Sequence, residues 1–244
     1  VVLDPTAEFE PTADGSMTRF SSRFGEHYHS RFGALTQART VFLGGTQLDR
    51  CAHAHVLEIG FGLGLNFLVT LADVTARKSA LDYLAYEFDP QPAAVLAACA
   101  QSHPGTNEPL WQALIDAWPR ESKSPGCEHQ PVELEIGERR LRVIFSDATS
   151  ALLPTAWADA VYLDGFSRKV NPELWTPAFV CRLARCLRPS GWIATYSAAG
   201  EVRRALSAAG LEVERCEGLP GKREWLRAQK NLGAVLPCTQ AMPT

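Results

Sequence analysis

Glu58-Ile59-Gly60-Phe61-Gly62-Leu63-Gly64-Leu65-Asn66 is the stretch that decides the fold. Residues 54–59 form an apolar run that reads as a strand, and residues 65–75 carry a helical period. A glycine-rich turn from a strand into a helix is where open α/β sheets bind ligands. The spacing narrows the choice of ligand. A dinucleotide loop sets its glycines as G-x-G-x-x-G, which would put the third at position 65; here that position is leucine and the glycine falls at Gly64. Glycines in such a turn let the backbone bend sharply and approach a cofactor with no side chain between them.

Outward from this loop, short apolar runs alternate with longer helical patterns, as in a parallel sheet with crossover helices. The pattern predicts strands at 81–87, 160–164 and 191–196, and helices at 92–99, 172–187 and 201–209, the last stopped by Gly210. Residues 103–130 are less regular and read as an insertion with one helical piece at 110–118. Residues 132–136 and 141–145 flank Gly137-Glu138 and read as a hairpin whose second strand joins the sheet. Strands near 211–215 and 224–228 close it. The first fifty residues lack the alternation and read as an N-terminal extension lying across the domain, with one strand at 40–43 before Gly44-Gly45. The expected division is an extension over 1–50, a cofactor-binding domain over 51–230 and a tail over 231–244.

Of the 244 residues, 46% are apolar and 21% charged, the balance of one globular domain with a sizeable core. No run approaches the roughly 20 apolar residues of a membrane span, and the polar start lacks the apolar segment of a signal peptide, so a cytoplasmic location is expected with no membrane partner. Seven scattered cysteines without a C-x-x-C pair suit reduced, mostly buried thiols. His27/His29 and His53/His55 have a chelating spacing, but no cysteine or carboxylate cluster adjoins them in sequence, so no metal is expected. The formal charge of −3 argues against gripping nucleic acid by bulk electrostatics. Basic residues outnumber acidic ones about two to one over 168–230, which reads either as a basic face or as ordinary solvated helix surface.

The E-x-G-x-G-x-G form resembles motif I of the class I S-adenosylmethionine-dependent methyltransferases, a Rossmann-like α/β fold with a seven-stranded, mostly parallel sheet. That resemblance implies S-adenosylmethionine as the cofactor, held by Glu58, Gly60, Phe61, Gly62, Gly64 and Asn66. Glu87, at the end of the second strand, offers paired acceptors for two ribose hydroxyls, and Asp147, with Ala148 beside it, would meet the adenine amino group. Either acid is alternatively a helix cap or a loop carboxylate.

A narrower resemblance comes from Val41-Phe42-Leu43-Gly44-Gly45, Leu65-Asn66-Phe67, Pro125-Gly126-Cys127, Asp164-Gly165-Phe166, Asn171-Pro172-Glu173-Leu174-Trp175, Arg188-Pro189-Ser190-Gly191, Ala199-Gly200-Glu201-Val202-Arg203-Arg204 and Gly221-Lys222-Arg223-Glu224. In this order they resemble the methyltransferase domain of the tRNA 5-methylaminomethyl-2-thiouridine biosynthesis (MnmC) family. The resemblance implies N-methylation of a 5-aminomethyl group on the wobble uridine of tRNA. Asp164, ending the fourth strand, is the candidate catalytic residue. Tyr28, Phe166 and Trp175 are candidates to receive the base, each being equally a plausible core residue, and Lys222 and Arg223 either meet tRNA or tip a hairpin. Ser167-Arg168-Lys169-Val170 departs from the family's usual sequence after Asp-Gly-Phe, and Gly25-Glu26 stands where an acidic pair usually precedes the tyrosine. The family's oxidase domain is not in this chain, so a separate enzyme is expected to generate the aminomethyl group upstream. Two alternatives stay open: the same cofactor site acting on a small amine, and a non-catalytic RNA-binding relic.

Overall fold

The computed structural model describes residues 9–101, 103–120, 129–218, 221 and 224–232. Eight strands form the main sheet: β4 (His53–Ile59), β5 (Ala80–Glu87), β6 (Val132–Ile136), β7 (Arg139–Phe145), β8 (Ala158–Leu163), β9 (Leu187–Thr195), β10 (Glu212–Glu217) and β11 (Glu224–Gln229). β1 to β3 belong to the extension described below. The spatial order is β10-β11-β9-β8-β4-β5-β7-β6. The run β9-β8-β4-β5-β7 is parallel, and β11 lies antiparallel to β9. This is the class I methyltransferase arrangement with a mixed sheet.

The sheet has one strand more than the seven expected. β6 pairs antiparallel with β7 and takes the edge. Its outward Glu133 and Glu135 face Arg142 and Arg140 at 2.9 and 3.1 Å, so the exposed edge is charged and protected from further pairing.

The strands at the centre are buried on both faces, which is why they read as continuous apolar runs. On one face, α2 (Leu65–Arg77), α3 (Ala93–Ala100) and α4 (Pro109–Ala117) pack Phe67, Leu68, Leu71, Leu96, Trp111 and Leu114 against Val56, Tyr83 and Val143. On the other, α5 (Pro177–Cys186) and α6 (Gly200–Ala208) bury Phe179, Val180, Leu183, Val202 and Leu206 against Leu57, Val161 and Ile193. The single helix expected over 172–187 is broken at Thr176, whose hydroxyl accepts the Phe179 N–H at 3.2 Å; Pro177 in the first turn has no N–H to continue the preceding turn Pro172–Trp175.

The N-terminal extension has its own three-stranded antiparallel sheet, β1 (Phe9–Pro11), β2 (Met17–Ser21) and β3 (Glu26–His27), followed by α1 (Ala34–Gln37). Asp14 ties the two together: Oδ2 accepts the N–H and hydroxyl of Thr36 at 2.7 and 2.8 Å, and Oδ1 accepts the Thr12 and Ser16 hydroxyls. The strand expected at 40–43 is instead a wide helical turn, Ala38–Gly44. Ala38, Val41 and Phe42 point into the core together, three and four residues apart, and that period overrides the local β-preference of Thr40-Val41-Phe42.

Of the expected reduced thiols, Cys51, Cys99, Cys186 and Cys216 are free, whereas Cys181 is bound in a disulfide. No helix among the described residues is long and apolar enough to cross a membrane.

Candidate active site

The glycine loop joins three strand ends. The Gly60 N–H donates to Tyr86 C=O at 3.0 Å, and the Asp164 N–H donates to Ile59 C=O at 3.1 Å. The loop thereby closes over the ends of β5 and β8 as well as of its own strand. Gly60 has φ +87°, and a Cβ there would lie 2.9 Å from the Asp164 carbonyl oxygen, so only glycine fits. Gly64, the left-handed cap of α2, turns inward: a Cβ there would meet Phe61 and Trp111 at 3.1 Å. Gly60, Phe61 and Gly62 line the cavity above the loop and Gly64 does not. The cavity has a volume of about 620 Å³, ample for a cofactor of nucleoside size.

Two carboxylates, Glu87 and Asp164, line the cavity, and a third, Glu58, lies beneath it. Glu87 is 7% exposed; Oε2 accepts the Gly62 N–H and Oε1 the Asp89 N–H, both at 2.7 Å. Each oxygen keeps a lone pair for a ligand hydroxyl. Burial raises the Glu87 carboxyl above its ordinary pKa, opposed by those two backbone donors. Glu58, read from the sequence as a cofactor ligand, sits beneath the cavity wall instead, 1% exposed. Its Oε1 accepts from Asn66 Nδ2 at 2.9 Å and its Oε2 from the Tyr83 hydroxyl at 2.8 Å. Burial pushes this carboxyl well above the usual range, even against those two donors.

Asn66 is the link between the acids. The same Nδ2 that serves Glu58 also donates to Asp164 Oδ2 at 2.7 Å. Both its N–H groups are therefore spent on carboxylates, leaving only its carbonyl oxygen for a ligand. A buried glutamate thus supports an asparagine that fixes the Asp164 carboxylate, and Asp164 itself lines the cavity.

The opposite wall comes from the extension. Phe24 stacks on Phe166 with centroids 4.2 Å apart at 19°, and Tyr28 meets Phe166 edge to face at 5.1 Å. The Tyr28 ring lies over the glycine loop, 3.4 Å from where a Gly62 Cβ would stand; burial, with Glu87 and Asp89 adding, raises its hydroxyl pKa. Glu26 accepts two donors from Ser167, the N–H at 3.0 Å and the hydroxyl at 2.5 Å, and the Tyr196 hydroxyl donates to Gly165 C=O at 2.9 Å. The segment following Asp164 is thus clamped from both sides.

Asp147 and Ala148 line the far end of the cavity. Asp147 Oδ1 caps its own turn, accepting the Thr149 N–H and hydroxyl at 2.8 and 2.7 Å, so only Oδ2 is left for a ligand. Trp175 is not on the wall. It is 4% exposed, with its indole N–H donating to Phe166 C=O at 2.9 Å, so it braces Phe166 from behind. Lys222 and Arg223 lie outside the described residues. Glu26, Phe24, Ser167 and Tyr196 were missed in the sequence; Glu26 alone carried a signal, as the acid ahead of Tyr28.

Comparison with known proteins agrees with this architecture. A family model described as S-adenosyl-L-methionine-dependent methyltransferase matches residues 106–231, just over half of the chain. The tRNA 5-methylaminomethyl-2-thiouridine biosynthesis bifunctional protein MnmC of Aromatoleum aromaticum is 39% identical over 236 residues, 93% of this chain and 36% of that protein. The protein of the same name from Paracidovorax citrulli is 42% identical over 221 residues, 87% of this chain and 34% of that protein. The chain thus spans about a third of the length of these relatives. Among solved structures, MNMC2 from Aquifex aeolicus superposes with a TM-score of 0.72 at 26% identity, covering 96% of this chain and 72% of that one. Spermidine synthase from Thermotoga maritima shares the fold alone, with a TM-score of 0.52 at 12% identity over 92% of this chain and 72% of that one. With the family model matching just over half of it and relatives about 40% identical over most of its length, the chain belongs to the S-adenosyl-L-methionine-dependent methyltransferases.

Proposed function

We propose that this chain methylates the nitrogen of a 5-aminomethyl group on the wobble uridine of tRNA, giving the 5-methylaminomethyl base, and that it works on tRNA in the cytoplasm. The observation that carries the reading is the pairing of an anchored carboxylate, Asp164, with an aromatic wall, Phe24, Phe166 and Tyr28, around one cavity. A cationic or nascently cationic amine suits the first, and the flat base that bears it suits the second. The MnmC relatives carry such a modification in their names and support the same reading.

The cavity fits S-adenosylmethionine. The hydroxyl of Ser146 is buried on the wall beside Asp147 without a hydrogen-bond partner, as a polar ligand would require. Glu87 would take the ribose hydroxyls and Asp147 Oδ2 the adenine amino group, with Gly60 and Gly62 against the methionine portion. The cofactor supplies the electrophilic methyl group.

The residues of the chain do the rest. Positive charge grows on the amine as it attacks, and a fixed carboxylate stabilises that change more than it stabilises the neutral amine. Asn66 holds Asp164 in place before the substrate arrives, so little reorganisation accompanies reaction. An amine with a pKa near 10 costs roughly 4 kcal/mol to hold neutral at pH 7. Asp164 mainly orients the amine and balances its charge, and the proton leaves to water or through a proton-accepting form of Asp164 itself.

The test is to supply the protein with methyl-labelled S-adenosylmethionine and tRNA carrying the aminomethyl uridine, then to analyse the nucleosides. Label should appear on the wobble base. Asp164→Ala should lower turnover by roughly a hundredfold or more while calorimetric binding of the cofactor survives. No label on that base, or label on free small amines alone, would overturn the substrate assignment.

A further inference from the structure

At the opposite ends of the strands, roughly 20 Å from the glycine loop by strand rise, lies a cluster that methyl transfer does not use. His53 and His55 are two apart on β4 and so share one face, and Asp82 on β5 is in register with His55. The two imidazoles stack with centroids 4.4 Å apart at 27°. His53 Nε2 lies 2.7 Å, and His55 Nε2 3.4 Å, from the same atom, Asp82 Oδ2. One donor atom from each residue falls within 4.8 Å of the others.

Two groups compete for His55 Nδ1: Asp159, which would accept its proton, and Arg188, which can only donate to it. Its Nδ1 is 3.0 Å from Asp159 Oδ2, which also accepts the His55 backbone N–H at 2.9 Å. In the tautomer that donates Nδ1–H to Asp159, the one a cation at Nε2 selects, Nε2 turns a lone pair toward the carboxylate of Asp82. A lone pair facing a carboxylate oxygen is a place for a cation, and a carboxylate behind the far nitrogen is the usual support of a metal-bound histidine. The neighbouring charges are two arginines. Arg188 Nη1 sits 3.0 Å from His55 Nδ1 and 3.2 and 3.3 Å from the two Asp159 oxygens, so with Nδ1 protonated it pairs with Asp159, on the side of the ring away from Nε2. Arg140 is 3.6 Å from Asp82 Oδ1, but it is largely exposed and has Glu135 as a second partner at 3.1 Å.

From this arrangement we propose that His53, His55 and Asp82 bind one divalent ion of the zinc class, clipping β4 to β5, with the fourth position open to water. Zinc bonds of about 2.1 Å in a tetrahedron set ligand atoms roughly 3.4 Å apart. The His55–Asp82 separation is already there. His53 must withdraw by roughly 0.7 Å, and its side chain, 49% exposed, is free to do so. Two imidazoles and one carboxylate are the donor set that zinc and its neighbours prefer, whereas calcium and magnesium want more oxygens.

The probes are Co²⁺ and Zn²⁺ added to the chelator-treated full chain. One equivalent of Co²⁺ should give tetrahedral d–d bands without thiolate charge transfer. Zn²⁺ at a hundredfold excess over its Kd should raise the Tm by roughly 5–10 °C. His53→Ala, at an exposed position that leaves the core intact, and Asp82→Asn should each weaken binding at least about tenfold without changing methyl transfer. Circular dichroism checks that both variants are folded. Absence of saturable binding below about 100 μM, equal binding in both variants, or a thiolate band overturns the site.

Discussion

The cavity has two walls of different construction. The sheet wall, from Gly60 through Asp164 to Glu87, is built mainly on main chain: strand ends bonded to one another, with the Gly62 N–H taken by a side chain, the Glu87 carboxylate. The extension wall is built on side chains. Glu26 reaches Ser167, Phe24 stacks on Phe166, Arg23 lies 3.7 Å from Asp89, and the Cys99 thiol donates to Met17 C=O. A main-chain wall has no way to yield at one point without moving its neighbours. A side-chain wall loses its contacts one at a time, so its damage is graded.

The sharpest way to break this distinction is within the glycine loop. Gly60→Ala places a Cβ 2.9 Å from the Asp164 carbonyl oxygen and forces alanine to φ +87°. Left-handed strain alone costs roughly 1–2 kcal/mol, and the clash must be relieved by moving the strand end that carries Asp164. Turnover should fall by roughly a hundredfold or more, with cofactor affinity lost alongside it. Gly62→Ala, at φ +56°, meets only Tyr28 at an ordinary 3.4 Å and should cost about 1 kcal/mol. Calorimetry and steady-state rates on the pair check this; equal losses would mean that the loop tolerates no side chain for reasons other than the Asp164 contact.

The same contrast explains what could be read from the sequence. The glycine loop, Glu87 and Asp164 announce themselves because each lies at a strand end, and strands declare their length and termini locally. Glu26 was opaque as a clamp because its partner, Ser167, is 141 positions away and nothing local encodes their meeting. Asn66 belongs to the glycine motif and lines the cavity as a cofactor ligand would, but its amide N–H groups serve Glu58 and Asp164, a link the motif does not encode. Trp175 and Phe166 are alike as letters, and only packing separates the brace from the wall. His53 and His55 lacked a carboxylate in sequence, and parallel pairing with β5 brought Asp82 beside them. Helix and strand also competed at 38–44, where β-branched and aromatic residues were buried on a helical period.

A smaller effect is expected on the extension wall. Glu26→Gln keeps the shape but leaves one Ser167 donor facing an amide N–H in place of a carboxylate oxygen. A charge-assisted hydrogen bond is worth about 1.5–3 kcal/mol, so the Ser167 segment and Phe166 should loosen. The KM for the amine substrate should rise by roughly tenfold while kcat and cofactor affinity change little. A fall in kcat at constant KM would place Glu26 in the chemistry rather than in the clamp.

The smallest effect concerns how far the two walls unfold together. Each carries a histidine: buried His103, whose Nδ1 accepts the Gly105 N–H at 3.0 Å where that turn packs on Leu68 of α2, and half-buried His29, which lines the cavity on the extension side. Burial lowers both from 6.5 to about 4, with Arg39 adding at His103 and the Met17 carbonyl opposing at His29. In the unfolded chain each imidazole takes up its proton near 6.5; in the native state each resists until about 4. Their contribution to stability is therefore complete above 6.5 and lost as the pH falls to 4. For His103 the loss should be on the order of 2 kcal/mol, and His103→Gln should flatten the fall of Tm across that window, since the turn beneath α2 unfolds only with the sheet. His29→Gln should leave the global melt nearly unchanged and instead reduce the acid-induced hydrogen exchange of β2 and β3, because a side-chain wall opens without the sheet. If both variants flatten the global melt equally, the extension and the sheet unfold as one cooperative unit, and the graded behaviour argued from Glu26 must arise from the substrate contact alone.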